Sequence, residues 1–246
     1  MTAPPTGPRA TTLLCDADGT LFPSETPAYA ASTDVMNKFL ATIGAGRSYR
    51  PAELQAMTNG KNFRGAAQEL ADRYGRDLDP AELDDWVAQE KEVVTAHLRT
   101  VLRPDPDVTG PLHRLARRFQ LAVVTSSALS RLDACLQATD LAQLFPAKRR
   151  ISAEDSLPRP TSKPDPAVYA HAGRVLQIGH DDGLAIEDSV NGVRSAVAAG
   201  YRTAGLTAFV ADSDRPQRTR ALRDAGASTV LSSWTDLADL MLGRDR

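Results

Sequence analysis

The chain has 246 residues, 42% of them hydrophobic, with 29 Lys plus Arg against 31 Asp plus Glu. That length suits one large domain or a core with a smaller second lobe, and the near-neutral balance excludes the basic footprint of a nucleic-acid binder. Two cysteines, Cys15 and Cys135, offer neither metal-ligand spacing nor a disulfide framework, and no apolar run is long enough to span a bilayer, so a reducing, cytoplasmic setting is expected.

The first ten residues, "MTAPPTGPRA", are Pro-rich and read as a disordered lead-in, without the layout of a signal peptide. "TTLLC" is short, apolar and β-branched, a buried strand. It stops at Asp16 and Asp18, and Gly19 breaks it. Two carboxylates at a strand end are costly to bury without a positive partner. From residue 23 to about 105 the pattern is helix after helix. Val35, Met36, Phe39, Leu40 and Ile43 share one helical face, and Phe63, Ala67, Leu70, Ala71 and Tyr74 another. A third helix starts with Asp79 as N-cap and Pro80 at its first position. Its apolar face continues through Leu83, Trp86, Val87, Val94 and Leu98.

After residue 105 strands and helices alternate. "FQLAVVTSS" is a strand ending in hydroxyls and "DGLAIED" a strand ending in acids, while "YRTAGL" and "STVLSS" are further strands. "PLHRLARR", "RLDACLQAT", "PAVYAHAGRVL", "SVNGVRSAVAAG" and "WTDLADLML" are helices. Alternation implies right-handed βαβ units and a parallel sheet. The fold class is therefore α/β, a Rossmann-like parallel-sheet core of residues 11–22 and 106–246, with an inserted all-α cap over 23–105. Ligands in such sheets bind at the carboxyl ends of the strands. Three polar clusters fall there: Asp16 with Asp18, Thr125 to Ser127, and Glu187 with Asp188.

Four motifs carry a resemblance: "DADGTL", "LAVVTSS", "SKPDPAVY" with Lys163, and "AIEDSVNGVRSAVAAG". In this order and spacing they resemble the four motifs of the haloacid dehalogenase-like hydrolases, in the form found in phosphatases and sugar phosphomutases with a helical cap after the first motif. The resemblance implies a Mg²⁺-dependent enzyme that passes a phosphoryl group through an aspartyl-phosphate on Asp16. It implies metal ligation by Asp16, Asp18 through its carbonyl, and Asp188, with Glu187 either a ligand or an orienting group. Asp18 would be the general acid and base. Thr125, Ser126 and Lys163 would hold the phosphate, with Thr125 and Lys163 counted with the aspartates in catalysis. Lys61 and Arg64, in the cap segment "MTNGKNFRGAA", either meet a second anionic group of the substrate or are solvated surface residues.

Read singly, each motif residue is more simply a helix cap, a turn former or a surface charge; four coincidences in order are not. The expected substrate is a small phosphorylated metabolite, a sugar phosphate or phosphoglycolate-like acid, handled by a monomer or weak homodimer with no nucleic acid or membrane. The alternatives are a β-phosphoglucomutase-like phosphomutase, or a non-catalytic domain on the same fold. The mutases of the family place a His or Arg in the helix start after the first motif, where it handles Asp18; "TPAYAAS" has neither.

Overall fold

The structure is a computed structural model and describes residues 10–58 and 62–243. Residues 1–9 of the expected ten-residue lead-in, and Lys61, lie outside the described residues. The chain divides into two compact units, Met1–Pro23 with Leu102–Arg246, and Ser24–Val101.

The first unit is built on six parallel strands: β1 Thr12–Cys15, β2 Gln120–Thr125, β3 Arg150–Ser152, β4 Gly183–Glu187, β5 Arg202–Leu206 and β6 Thr229–Leu231, in the order β3-β2-β1-β4-β5-β6. All of β1 and β4, and β2 beyond Gln120, are buried. Burial on both faces explains why they read as continuous apolar runs. Leu14, Ala122, Val124 and Ala185 form one face, packed with Val168, Tyr169 and Ala172 of α7 (Ala167–Leu176) and Ala196 of α8 (Val190–Ala198). Their neighbours Leu13, Cys15, Leu121, Val123, Leu184 and Ile186 alternate with them along the strands. The strand order reverses at β1, whose carboxyl end is therefore the crevice where such sheets bind ligands.

Between the strands run α5 (Pro106–Ala116), capped by Asp105, and α6 (Leu129–Ala138). After β5 come α9 (Arg215–Asp224) and α10 (Trp234–Leu242). Two of these elements have no clear sequence signal. β3 is an edge strand of three residues that begins with Arg150, too short to show alternation. On α9 only Leu222 is buried, so no apolar stripe marks it as a helix.

The second unit is all helix: α1 Glu25–Thr42, α2 Pro51–Thr58, α3 Phe63–Arg73 and α4 Pro80–Val101. The periodic residues of the sequence form its core. Val35, Met36, Phe39, Leu40, Ile43, Phe63, Ala67, Leu70, Ala71 and Leu83 are buried, with Tyr74, Trp86 and Val87 packed against them. The α1–α2 connection is pinned by Asn37, whose amide donates to Tyr49 O and accepts from Tyr49 N, both at 2.8 Å. Asn62 caps α3 by accepting from Gly65 N at 2.9 Å, and Asp79 accepts from Ala81 N at 3.1 Å at the start of α4.

Phe39 is fully buried and meets Trp86 edge-on, with ring centroids 5.7 Å apart. Phe39→Ala removes that contact and opens a cavity, at a cost of about 3–5 kcal/mol. A urea-unfolding midpoint close to that of the unmodified chain would show that this core does not limit stability.

Candidate active site

Register places the acids. Cys15 pairs with Val123 on one side and Ile186 on the other, so Asp16 and Glu187 leave neighbouring strands at the same level. Asp16 N extends the ladder, donating to Ile186 O at 2.9 Å. Between them sits Lys163, from the loop before α7. Its Nζ donates to Asp16 Oδ1 at 2.5 Å, to Glu187 Oε1 at 2.6 Å and to Val124 O at 2.7 Å. The ammonium thus meets carboxylate or carbonyl at the ends of β1, β2 and β4.

The carboxylates of Asp16, Glu187 and Asp188 are buried, with one oxygen of each lying within 4.8 Å of the others. Oxygen donors of this hardness and closeness could hold a cation. Burial pushes the Asp16 carboxyl well above the usual carboxylate range; Lys163 opposes that rise, while Glu187 and Asp188 add to it. Lys163 moves up as well: burial alone would lower it, but Asp16 and Glu187 outweigh burial and keep it charged. Lys163 and the Arg218 guanidinium, 3.7 Å from Asp188 Oδ2, bring two positive charges to three buried carboxylates, which is the electrostatic ground for a further cation here.

Several supports of this cluster escaped the sequence reading. Tyr169 OH donates to Glu187 Oε1 at 2.7 Å, and burial beside that carboxylate pushes the phenol up, so it stays a donor. Thr20 Oγ1 donates to Asp188 Oδ1 at 3.0 Å, and Trp234 Nε1 fixes Thr20 O at 2.9 Å. Arg218, on α9, donates to Asp188 O at 2.9 Å. Two glycines permit the crowding. Gly19 has φ of +81°, and a Cβ there would press on Asp188. A Cβ at Gly192 would overlap the Glu187 carboxylate outright.

The other expected residues are distributed as follows. Asp18 is met by two donors: Ser127 Oγ donates to its Oδ2 at 2.7 Å, and Arg131 Nη2 to its Oδ1 at 3.1 Å. Thr125 is buried and accepts from Ser127 N at 3.0 Å. Ser126 Oγ accepts from Lys163 N at 3.1 Å, which seats the lysine loop. Arg64, in the helical unit, is ion-paired with Asp84 of α4. The two cysteines take no part in this chemistry: both are buried, and burial pushes the Cys135 thiol up to about 12.

Signals for the missed residues are weak. Tyr169 lies six residues after Lys163, in the first turn of α7, where an aromatic is ordinarily core. Arg131 is the one cation of an otherwise ordinary amphipathic helix, and Arg218 is one of four arginines on α9 that the sequence does not tell apart.

The parallel sheet with its carboxylate–lysine cluster belongs to a hydrolase. The family model for haloacid dehalogenase-like hydrolases matches residues 10–200, and the chain belongs to that family. It is 31% identical over 240 residues to the protein CbbY of Cereibacter sphaeroides, covering 93% of this chain and 94% of that one. It is 29% identical over 204 residues to a phosphoglycolate phosphatase of Pseudomonas putida, covering 79% and 68%. Among solved structures, a haloacid dehalogenase-like protein from Agrobacterium tumefaciens matches with a TM-score of 0.67 at 26% identity, over 95% of this chain and 98% of that one. CbbY from Rhodobacter sphaeroides, in complex with xylulose-(1,5)-bisphosphate, matches in fold with a TM-score of 0.69 at 24% identity, over 93% and 96%.

Removing the cation from between buried carboxylates leaves uncompensated charge. Lys163→Met therefore lowers stability by about 3–5 kcal/mol, and Tyr169→Phe, which leaves Lys163 on Glu187, by about 1.5–3 kcal/mol. Both are read from urea denaturation near neutral pH. A reversed order would make Tyr169, rather than Lys163, the main support of Glu187.

Proposed function

We propose that this chain is a Mg²⁺-dependent phosphatase that hydrolyses a small phosphorylated metabolite, a sugar phosphate or a phosphoglycolate-like acid, through an aspartyl-phosphate. The observation that carries this reading is the Lys163 ammonium held between Asp16 and Glu187 with Asp188 beside them. The relatives named above, a phosphoglycolate phosphatase and a CbbY crystallised with a sugar bisphosphate, support the substrate class.

A phosphate monoester is a dianion, and a carboxylate nucleophile approaching it meets like-charge repulsion. In this reading a carboxylate oxygen of Asp16 attacks phosphorus while the ester P–O bond breaks. The leaving oxygen takes its proton from Asp18. Water then gives a proton to Asp18 and attacks the phosphoryl group, the P–O bond to Asp16 breaks, and the carboxylate and inorganic phosphate are regenerated. Lys163 offsets charge on nucleophile and phosphoryl group throughout, and Thr125 and Ser126 border the phosphate. Asp16, Asp188 and the Asp18 carbonyl would hold Mg²⁺, a hard cation suited to these oxygens. When bound it supplies charge neutralisation of nucleophile and phosphate. Glu187 has Oε1 occupied by Lys163 and Tyr169, which favours it as the group that orients the lysine.

The test is phosphate release from an aryl phosphate and a panel of metabolite phosphates, with Mg²⁺ and with EDTA. EDTA should remove activity, and Asp16→Asn should abolish turnover while the melting temperature stays near that of the unmodified protein. Release that survives either change overturns the mechanism. Asp18→Asn should slow turnover by about 10²–10⁴-fold.

Water as acceptor also predicts a short-lived phosphoenzyme. The segment "TPAYAAS" lacks a His or Arg for Asp18, and Asp18 has a cationic partner, Arg131, in the sheet-containing unit. Rapid-quench decay after loading from a reactive phosphodonor measures the lifetime. A phosphoenzyme that persists in buffer and discharges only when a sugar phosphate is added would reassign the chain to phosphomutase chemistry.

A further inference from the structure

The turn after β1 is closed largely by its own backbone. Thr20 N donates to Ala17 O at 3.2 Å, Leu21 N to the same oxygen at 2.8 Å, and Gly19 N to Phe22 O at 3.0 Å. Thr20, fully buried, makes two contacts beyond the turn. Its hydroxyl donates to Asp188 Oδ1 at 3.0 Å, and its carbonyl accepts from Trp234 Nε1 at 2.9 Å. A run of hydrogen bonds therefore leads from a buried indole through one residue to a carboxylate of the cation cluster. Both donors in it are neutral, so the run carries position rather than charge.

Trp234 opens α10, outside the four motifs, and is 1% exposed. The helix that carries it is itself well fixed. Ser233 caps it by accepting from Asp236 N at 3.0 Å, Leu237 and Ala238 are buried, and Asp239 accepts from Arg114 of α5 at 3.0 Å. Any large apolar side chain would fill the core at position 234. The indole adds a single N–H, which needs an acceptor when buried, and that acceptor is Thr20 O.

We propose that Trp234 is a positioning residue of the cation site: through Thr20 it sets how Asp188 presents its carboxylate, and so sets the affinity for Mg²⁺. The proposal rests on the reading of the cluster as the Mg²⁺ site of a phosphatase and adds the C-terminal helix to what holds that site. Outer partners of metal ligands act on the metal by fixing the ligand. Coupling of this kind is reciprocal, so Mg²⁺ in turn holds the Trp234–Thr20 contact closed.

Mg²⁺ is titrated calorimetrically into the unmodified chain, Trp234→Phe, Thr20→Val and the double variant. Phe keeps an aromatic ring without the N–H, and Val keeps the shape of Thr without the hydroxyl. Thr20→Val should weaken Mg²⁺ binding about 10–100-fold, and Trp234→Phe about 10-fold. The double variant should bind no more weakly than Thr20→Val, because without the hydroxyl the indole no longer acts on Asp188. A Trp234 that merely stabilised the fold would add its loss to that of Thr20→Val. Thermal melting without Mg²⁺ checks that each variant is folded. A second measurement uses the unmodified chain alone: Mg²⁺ should slow hydrogen exchange at the Trp234 indole N–H and leave that of Trp86, in the helical unit, unchanged. Unaltered affinity in Trp234→Phe, additive losses, or a Trp234 indole indifferent to Mg²⁺ overturns the proposal and leaves the phosphatase reading standing. An unmodified chain that binds no Mg²⁺ overturns both. Mg²⁺ binding that depends on Trp234 through Thr20, in a chain that releases no phosphate, supports the proposal and removes only the phosphatase reading.

Discussion

The structure turns on one electrostatic constraint: three carboxylates buried at adjoining strand ends with a single ammonium between them. Each acid alone would be expelled from such a place or would take up a proton. Lys163 makes the arrangement tolerable because it donates to Asp16, Glu187 and a β2 carbonyl together. It does not complete the neutralisation, since Asp16 stays well above the ordinary carboxylate range despite it. The same imbalance that makes the cluster costly to fold suits it to the cation and phosphoryl group of the proposed reaction, because charges in a water-poor setting are weakly screened.

The sheet supplies this geometry through its register. β1 lies between β2 and β4, so the residue after Cys15 emerges level with the last residue of β4. A shift of one residue in either pairing would move Asp16 or Glu187 to the opposite face. Two close approaches then set the spacing. Gly19 lets the chain turn against Asp188, and Gly192 lets α8 start against Glu187. Ser189 caps that helix by accepting from Gly192 N at 3.0 Å, so one short segment carries two acids, their cap and the glycine that admits them.

What was legible in the sequence follows from the range of the interactions. Strands buried on both faces read as apolar runs, and β1, β2 and β4 each end in a polar cluster, so Asp16, Thr125, Glu187 and Asp188 are legible as strand ends. The helical insert was visible because Phe39, Leu70 and their neighbours repeat at the helical period. Lys163 has no such periodic mark; only its place among four ordered motifs singles it out. The supports were not legible. Arg131 meets Asp18 across 113 residues and Trp234 meets Thr20 across 214, and neither contact leaves a local pattern. β3 and α9 were missed for the opposite reason, being too short or too polar to show a period of their own.

The two aspartates of the first motif also differ in how firmly they are held, and the difference bears on what each can do. Asp16 is buried against an ammonium fixed by three separate contacts, so its carboxylate is held toward one position, which suits the nucleophile of the proposed reaction. Asp18 is half-open to solvent and bound to an arginine whose own donors are not all used. In the proposed reaction Asp18 gives a proton to one oxygen and later takes one from water, a role that does not suit a group locked in a single geometry, since the two reacting atoms differ. A partly exposed carboxylate meets that need better than one buried as Asp16 is, at a site whose other acids are each held by buried contacts around it.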